Sequence, residues 1–139
     1  MEPGVGEEFE TEAAAREAYT AAGSTAQTVL REAAKAMNFD EAEYESRVTP
    51  AVVETVRDVV FARRLGVTVG SRAEFEDWRA ETDLEVTTIG SDQVDNVAWH
   101  AAPFAGTAVA ATFQNEPAAA VETLRRQAVG RIYRPRFGD

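Results

Sequence analysis

Three groups of residues carry side chains suited to chemistry. The first is His100, the sole histidine of the chain. An imidazole titrates near neutral pH and can act as base, acid or ligand. A general base also needs a partner that orients it, and Trp99, Ala101, Ala102 and Pro103 around it supply none. Its residues point to a structural role in the core, with a ligand contact by Trp99 and His100 as the alternative. The second group is the arginine-rich end, Arg125, Arg126, Arg131, Arg134 and Arg136, interleaved with Tyr133 and Phe137. Guanidinium forks hold phosphate or carboxylate, and aromatic rings stack on bases. The plainer expectation is that this end lies on its own acidic body with Ile132, Tyr133 and Phe137 docked; a partner protein or a nucleic acid are the alternatives. The third is the loop Ser91-Asp92-Gln93-Val94-Asp95-Asn96. Its oxygens could face a hard cation, but their spacing is not that of a calcium loop.

Other chemistry is excluded by what is missing. There are no cysteines, which removes disulfides, thiolate metal sites and cysteine nucleophiles. No serine sits in Gly-x-Ser-x-Gly. Gly66-Val67-Thr68-Val69-Gly70 lacks the Lys and Ser/Thr of a phosphate loop. No catalytic residue, metal ligand or cofactor is therefore assigned. The chain holds 24 acids against 14 bases, net −10, and only Lys35 among the bases is lysine. Over residues 125–139 five arginines face one acid, so the excess acid belongs to the body. Phosphate attraction dominates non-specific nucleic-acid binding, so the net charge disfavours a nucleic-acid partner. The same charge suits concentrated salt, where the Debye length shrinks to about 3 Å at 1 M and self-repulsion fades.

The elements follow from periodicity and caps. Residues 1–10, rich in Gly, Pro and Glu, read as a flexible acidic tail ahead of one domain over 11–139. Thr11 caps a helix over about 12–22 that stops at Gly23, and Ser24 caps a second over about 25–37 with the stripe Ala26, Val29, Leu30, Ala33 and Met37. Asn38 suits the position after it. Asp40 opens a short helix to Arg47, and Thr49-Pro50 starts another to about Leu65, whose wide arc of valines predicts burial. A short strand or extended link at Gly66–Gly70 precedes the capping box Ser71-x-x-Glu74 and a helix to Glu81. The period then falls to two. Strands are expected over 84–89, 94–101 and 106–113, the last two forming a hairpin. Placing the large residues on one face pairs Ala101 with Thr107 and Trp99 with Val109. Ala98, His100, Ala108, Ala110 and Thr112 would then line an alanine-rich opposite face, the candidate ligand groove. Pro117 starts a final helix to Gly130, followed by an extended end. The fold class is α+β: a helical N-terminal half packed on a small, mostly antiparallel sheet of three or four strands, with a C-terminal helix.

The stretch Val97-Ala98-Trp99-His100-Ala101-Ala102-Pro103-Phe104-Ala105-Gly106-Thr107, with Phe113-Gln114-Asn115-Glu116-Pro117, Leu124-Arg125-Arg126-Gln127-Ala128 and the helix end Val29–Met37, resembles a family of small uncharacterised proteins from halophilic archaea. The resemblance covers most of residues 11–137 and implies a haloarchaeal source; it carries no functional residues, because that family has no assigned activity. No apolar run approaches the ~20 residues of a membrane helix, and the N-terminus is acidic where a secretory signal is basic. A cytoplasmic protein acting by association, as a homodimer or with a protein partner, is the expectation. A small-molecule site or enzyme at the His100 hairpin, and nucleic-acid association through the arginines, are the alternatives.

Overall fold

The structure is a computed structural model that describes residues 2–3 and 6–138. Caps place the helices where the sequence signals stand. The Thr11 hydroxyl accepts from the Ala14 amide at 3.1 Å and opens α1, Glu12–Ala36. Asp40 closes a capping box on α2, Glu41–Arg47, and Thr49 with Pro50 opens α3, Pro50–Ala62. Ser71 and Glu74 form the box that starts α4, Arg72–Glu81. Asn38 follows α1 at φ 57°, a left-handed turn that asparagine tolerates.

Two helical expectations need correction. The expected break at Gly23 is absent: α1 runs through it as one rod of 25 residues. A Cβ at Gly23 would stand 3.7 Å from the Arg57 side chain, so α3 packs closely there and tertiary contact overrides the local propensity to break. The valine arc of α3 is also not sealed. Phe61 and Ala62 are buried, but Val52 and Val59 are exposed, Val59 by 51%. On α1 the stripe splits likewise: Ala26 is buried, Leu30 half-buried, and Val29 and Met37 face solvent.

Five strands build one sheet in the order β1-β2-β4-β5-β3: β1 is Glu2–Pro3, β2 Thr68–Ser71, β3 Glu85–Ile89, β4 Asn96–Ala102 and β5 Thr107–Phe113. All neighbours are antiparallel except β3 and β5, which run parallel. α4 crosses from β2 to β3 over the strands between them. The hairpin register differs by one residue from the expected one. Trp99 pairs with Ala110, His100 with Val109 and Ala102 with Thr107. Pro103–Ala105 form a 3-10 turn, and Gly106 at φ 67° completes an even-length loop. The large residues are shared between the faces because both faces are buried. Val97, Trp99 and Ala110 pack with Phe75 of α4, while Ala98, Ala102, Val109 and Ala111 join the main core.

That core gathers Ala15, Ala18, Tyr19 and Ala22 of α1, Phe61 and Leu65, and Leu124 and Ala128 of α5, Pro117–Ala128. Both chain ends contribute. The Glu7 amide donates to the Arg64 carbonyl at 2.8 Å, and Phe9 stacks on Phe61 with centroids 6.1 Å apart. A free tail through residue 10 is thus corrected for residues 7–9; residues 1, 4 and 5 lie outside the described ones. The C-terminal end is helical, not extended: a π-helical turn at Val129–Tyr133 leads into α6, Arg134–Phe137. Ile132 and Tyr133 are needed inside, and the wider turn keeps both of them buried. Among the described residues no helix is long and apolar enough to cross a membrane.

Candidate functional site

His100 sits at the centre of β4 with no exposed surface. Its Nδ1 lies 2.7 Å from the Gly66 carbonyl and its Nε2 2.6 Å from the Tyr133 hydroxyl. A carbonyl only accepts, so Nδ1 carries the proton and donates; Nε2 then accepts from Tyr133. Both ring nitrogens are used and the ring is neutral. Burial pushes its pKa down to about 4, against the bond to Gly66, and the nearby Arg125 charge lowers it further. Burial and the Glu8 carboxylate push the Tyr133 phenol above its ordinary range. This is a satisfied core histidine.

Trp99 and His100 do not form one site. The pleat sends Trp99 to the other face, where its ring stands 5.3 Å from Phe75 and 5.5 Å from Trp78. The alanine-lined groove expected beside His100 is also absent: Val109 pairs with His100, Ala108 and Ala110 belong to the Trp99 face, and the His100 face is filled by the main core.

Four of the five arginines keep exposed surface and only Arg125 is half-buried, but most of them bond within the chain. Arg125 donates from Nε to the Leu65 carbonyl at 2.9 Å and pairs with Glu122. Arg136 donates to the Ile132 carbonyl at 3.0 Å and lies over the Phe104 ring. Arg131 donates to Gln127 one turn back. Arg126 and Arg134 line one shallow depression of about 200 Å³ with Thr55, Asp58, Val59 and Val129. Arg134 is already occupied there, its fork on Asp58 Oδ2 at 3.0 and 2.7 Å.

Asp58 is the polar hub that no sequence signal marked. Its Oδ1 accepts from the Tyr19 hydroxyl at 3.2 Å, its Oδ2 takes Arg134, and Arg57 Nε stands 3.5 Å away. The Arg57 guanidinium lies over the Tyr19 ring at 4.6 Å. The four residues come from α1, α3 and α6, so no local spacing could reveal them. Burial, and next the Asp58 charge, raise the Tyr19 pKa. The arrangement pins the C-terminal helix to α3; it leaves no lone pair aimed at a ligand.

The loop after β3 is held from behind rather than opened to a cation. Arg72 donates from Nη2 to the Ser91 and Val94 carbonyls at 3.1 and 2.8 Å. Among the described residues no group of three acidic, histidine or cysteine side chains gathers as a metal site.

The β3 edge of the sheet is open. β3 pairs with β5 on one side only; among the described residues nothing pairs with its outer edge. Beside its end opens a groove of about 360 Å³, lined by Ala111, Phe113, Asn115, Ala119, Ala120 and Thr123 among others. Of the residues lining it, only Glu116 is charged.

No curated protein and no solved structure matches the chain. A family model does, and its match begins at Glu7, which bonds to the Arg64 carbonyl, and ends at Arg134, the arginine held by Asp58. Over residues 7–134 the chain belongs to a family of unknown function, DUF5809.

Proposed function

We propose that this protein is a non-catalytic module that acts by protein–protein association. The observation that carries the reading is the open edge of β3 beside a nearly uncharged groove, in a chain whose residues are 27% charged. Unpaired strand edges are templates for another chain unless they are blunted. β3 reads Glu85-Val86-Thr87-Thr88-Ile89, with no lysine or proline to blunt it. The seal over His100 weighs against a ligand site on that hairpin, and the bonds that Arg125, Arg134 and Arg136 already make within the chain weigh against a nucleic-acid surface. Truncation at Gly130 would not test the reading, because it removes Ile132 and Tyr133 from the core. Sizing the tagged full chain in extract of its native host does. The reading expects elution well above the 15.1 kDa of one chain; elution as a free monomer contradicts it.

The charge supports a cytoplasm of high salt, as in the halophilic archaea that the sequence resembles. A net charge of −10 on a chain this small opposes compaction in dilute buffer. Raising KCl from about 0.1 M to about 1 M cuts the Debye length from ~10 to ~3 Å and should raise the urea midpoint steadily. A midpoint indifferent to KCl would count against salt adaptation.

A further inference from the structure

We infer that the partner at the β3 edge is an extended protein segment, basic at both ends and uncharged and β-branched between, which adds to the sheet as one more strand. The inference rests on the association reading above and gives the partner's chemistry.

Backbone direction shows what the edge offers. The Glu85 amide donates to the Gly106 carbonyl at 3.0 Å, toward β5. Residues of a strand alternate in the side to which their N–H and C=O point. Glu85, Thr87 and Ile89 therefore spend theirs on β5, while Val86 and Thr88 present theirs to the open edge. An added strand would meet these groups with about four backbone bonds, and such bonds give affinity whatever the side chains are.

Side chains then choose the strand. The middle of the edge, Val86-Thr87-Thr88-Ile89, is uncharged and β-branched throughout. Val86 is half-buried against the Phe75 and Trp99 cluster, and Ile89 against the main core. β-branched residues beside them would extend both layers. The ends differ. Asp83 and Glu85 are exposed where β3 begins, and Asp92 is exposed just beyond its end. From residue 80 to residue 124 the chain carries acids but no lysine or arginine. Of the α4 arginines, Arg72 holds the Ser91 and Val94 carbonyls and Arg79 lies over the Phe75 ring. An edge acidic at both ends opposes an acidic strand, including one from a second chain of net −10. It favours lysine or arginine at both ends of the incoming segment. β3 spans about 17 Å, so a segment of about seven residues reaches from the Asp83 end to the Asp92 end. With acids at both ends, the charge match holds for either strand direction.

Fluorescence anisotropy tests this with the purified full chain and the labelled, end-capped peptide Lys-Arg-Val-Thr-Val-Arg-Lys. About 1 M KCl shortens the Debye length to ~3 Å, so attraction to the acidic body at large fades while contact pairs and backbone bonds remain. The expected result is binding at least about tenfold tighter than that of Lys-Arg-Pro-Pro-Pro-Arg-Lys, which has the same charge and no central donors. Thr88→Pro removes an outward donor that no bond within the chain uses, and should weaken binding about tenfold. Asp83→Lys with Glu85→Lys spares the outward amides and should turn the preference toward Glu-Glu-Val-Thr-Val-Glu-Glu. Equal binding of the valine and proline peptides, or binding that either variant leaves unchanged, overturns the inference. No binding of the valine peptide overturns it too. If the native extract then still shows a larger species, association survives with a partner of other chemistry; a free monomer there removes the association reading itself.

Discussion

Lowering the pH from about 6.5 toward 4 should cost the fold about 3 kcal/mol through His100 alone. The sign follows from which state takes up the proton. The folded chain keeps His100 neutral down to about pH 4, whereas the unfolded chain protonates it near 6.5. Between those values the unfolded state holds the extra proton, so stability is complete above about 6.5 and falls by roughly 1.4 kcal/mol per pH unit below it. Protonation would give Nε2 a hydrogen facing a hydroxyl that now donates to it, so Tyr133 would have to turn its own proton elsewhere. Of the charged groups nearby, Arg125 adds to the effect, and Glu8, whose pKa is raised chiefly by burial, offsets part of it at the acidic end. Urea unfolding followed by Trp78 and Trp99 fluorescence across this window, in the wild type and in His100→Gln, isolates the residue. The variant should lose about one proton from the pH slope; equal slopes would contradict the assignment. Tyr133→Phe keeps the ring packing and leaves Nε2 unpaired, at a cost of about 1–3 kcal/mol.

Asp58→Ala should be about as damaging, at roughly 2–4 kcal/mol, and clearly worse than Arg134→Ala. The asymmetry comes from burial. The Asp58 side chain is 14% exposed and the Arg134 side chain 48%, so removing the arginine loses a largely solvated pair worth about 1 kcal/mol or less. Removing the aspartate takes a partner from Tyr19, Arg134 and Arg57 together. Arg57 suffers most: its Nε and Nη2 are buried and meet no acceptor at hydrogen-bond geometry, so Asp58, Glu54 and the Tyr19 ring are its compensation. Denaturant midpoints give the ranking. A spectrophotometric titration gives an independent sign: in Asp58→Asn the Tyr19 pKa should move down toward 10, since one cause of its rise is gone. Equal costs for Asp58→Ala and Arg134→Ala would contradict the hub.

Local chemistry made much of this fold legible. Thr11, Asp40, Thr49-Pro50 and Ser71-x-x-Glu74 each cap the helix they announce, because a cap is a bond between residues two or three apart. The change of period after Thr82 marks the strands for a similar reason. What failed needed distant partners. Gly23 continues a helix where α3 packs beside it. The hairpin register was misjudged by assuming one buried face, when α4 buries Trp99 on one side and the helical layer buries Val109 on the other. Phe9 reads as part of a free tail until Phe61 supplies the ring that it stacks on. Of the candidate site residues, the docked reading of the arginine end and the structural reading of His100 fit the observed bonds. The Asp58 cluster spans residues 19 to 134 and left no mark in the sequence.

Strand addition at β3 is tested most directly on the amides of β3 itself. Glu85, Thr87 and Ile89 give theirs to β5, whereas Val86 and Thr88 face outward, with no strand beside them among the described residues. Residue-resolved hydrogen exchange on the full chain, with and without saturating Lys-Arg-Val-Thr-Val-Arg-Lys, reads the two sets separately. The Val86 and Thr88 amides should slow at least about tenfold in the complex, while those of Glu85, Thr87 and Ile89 change little. Val86 and Thr88 amides that exchange as fast with the peptide bound as without it would contradict the pairing.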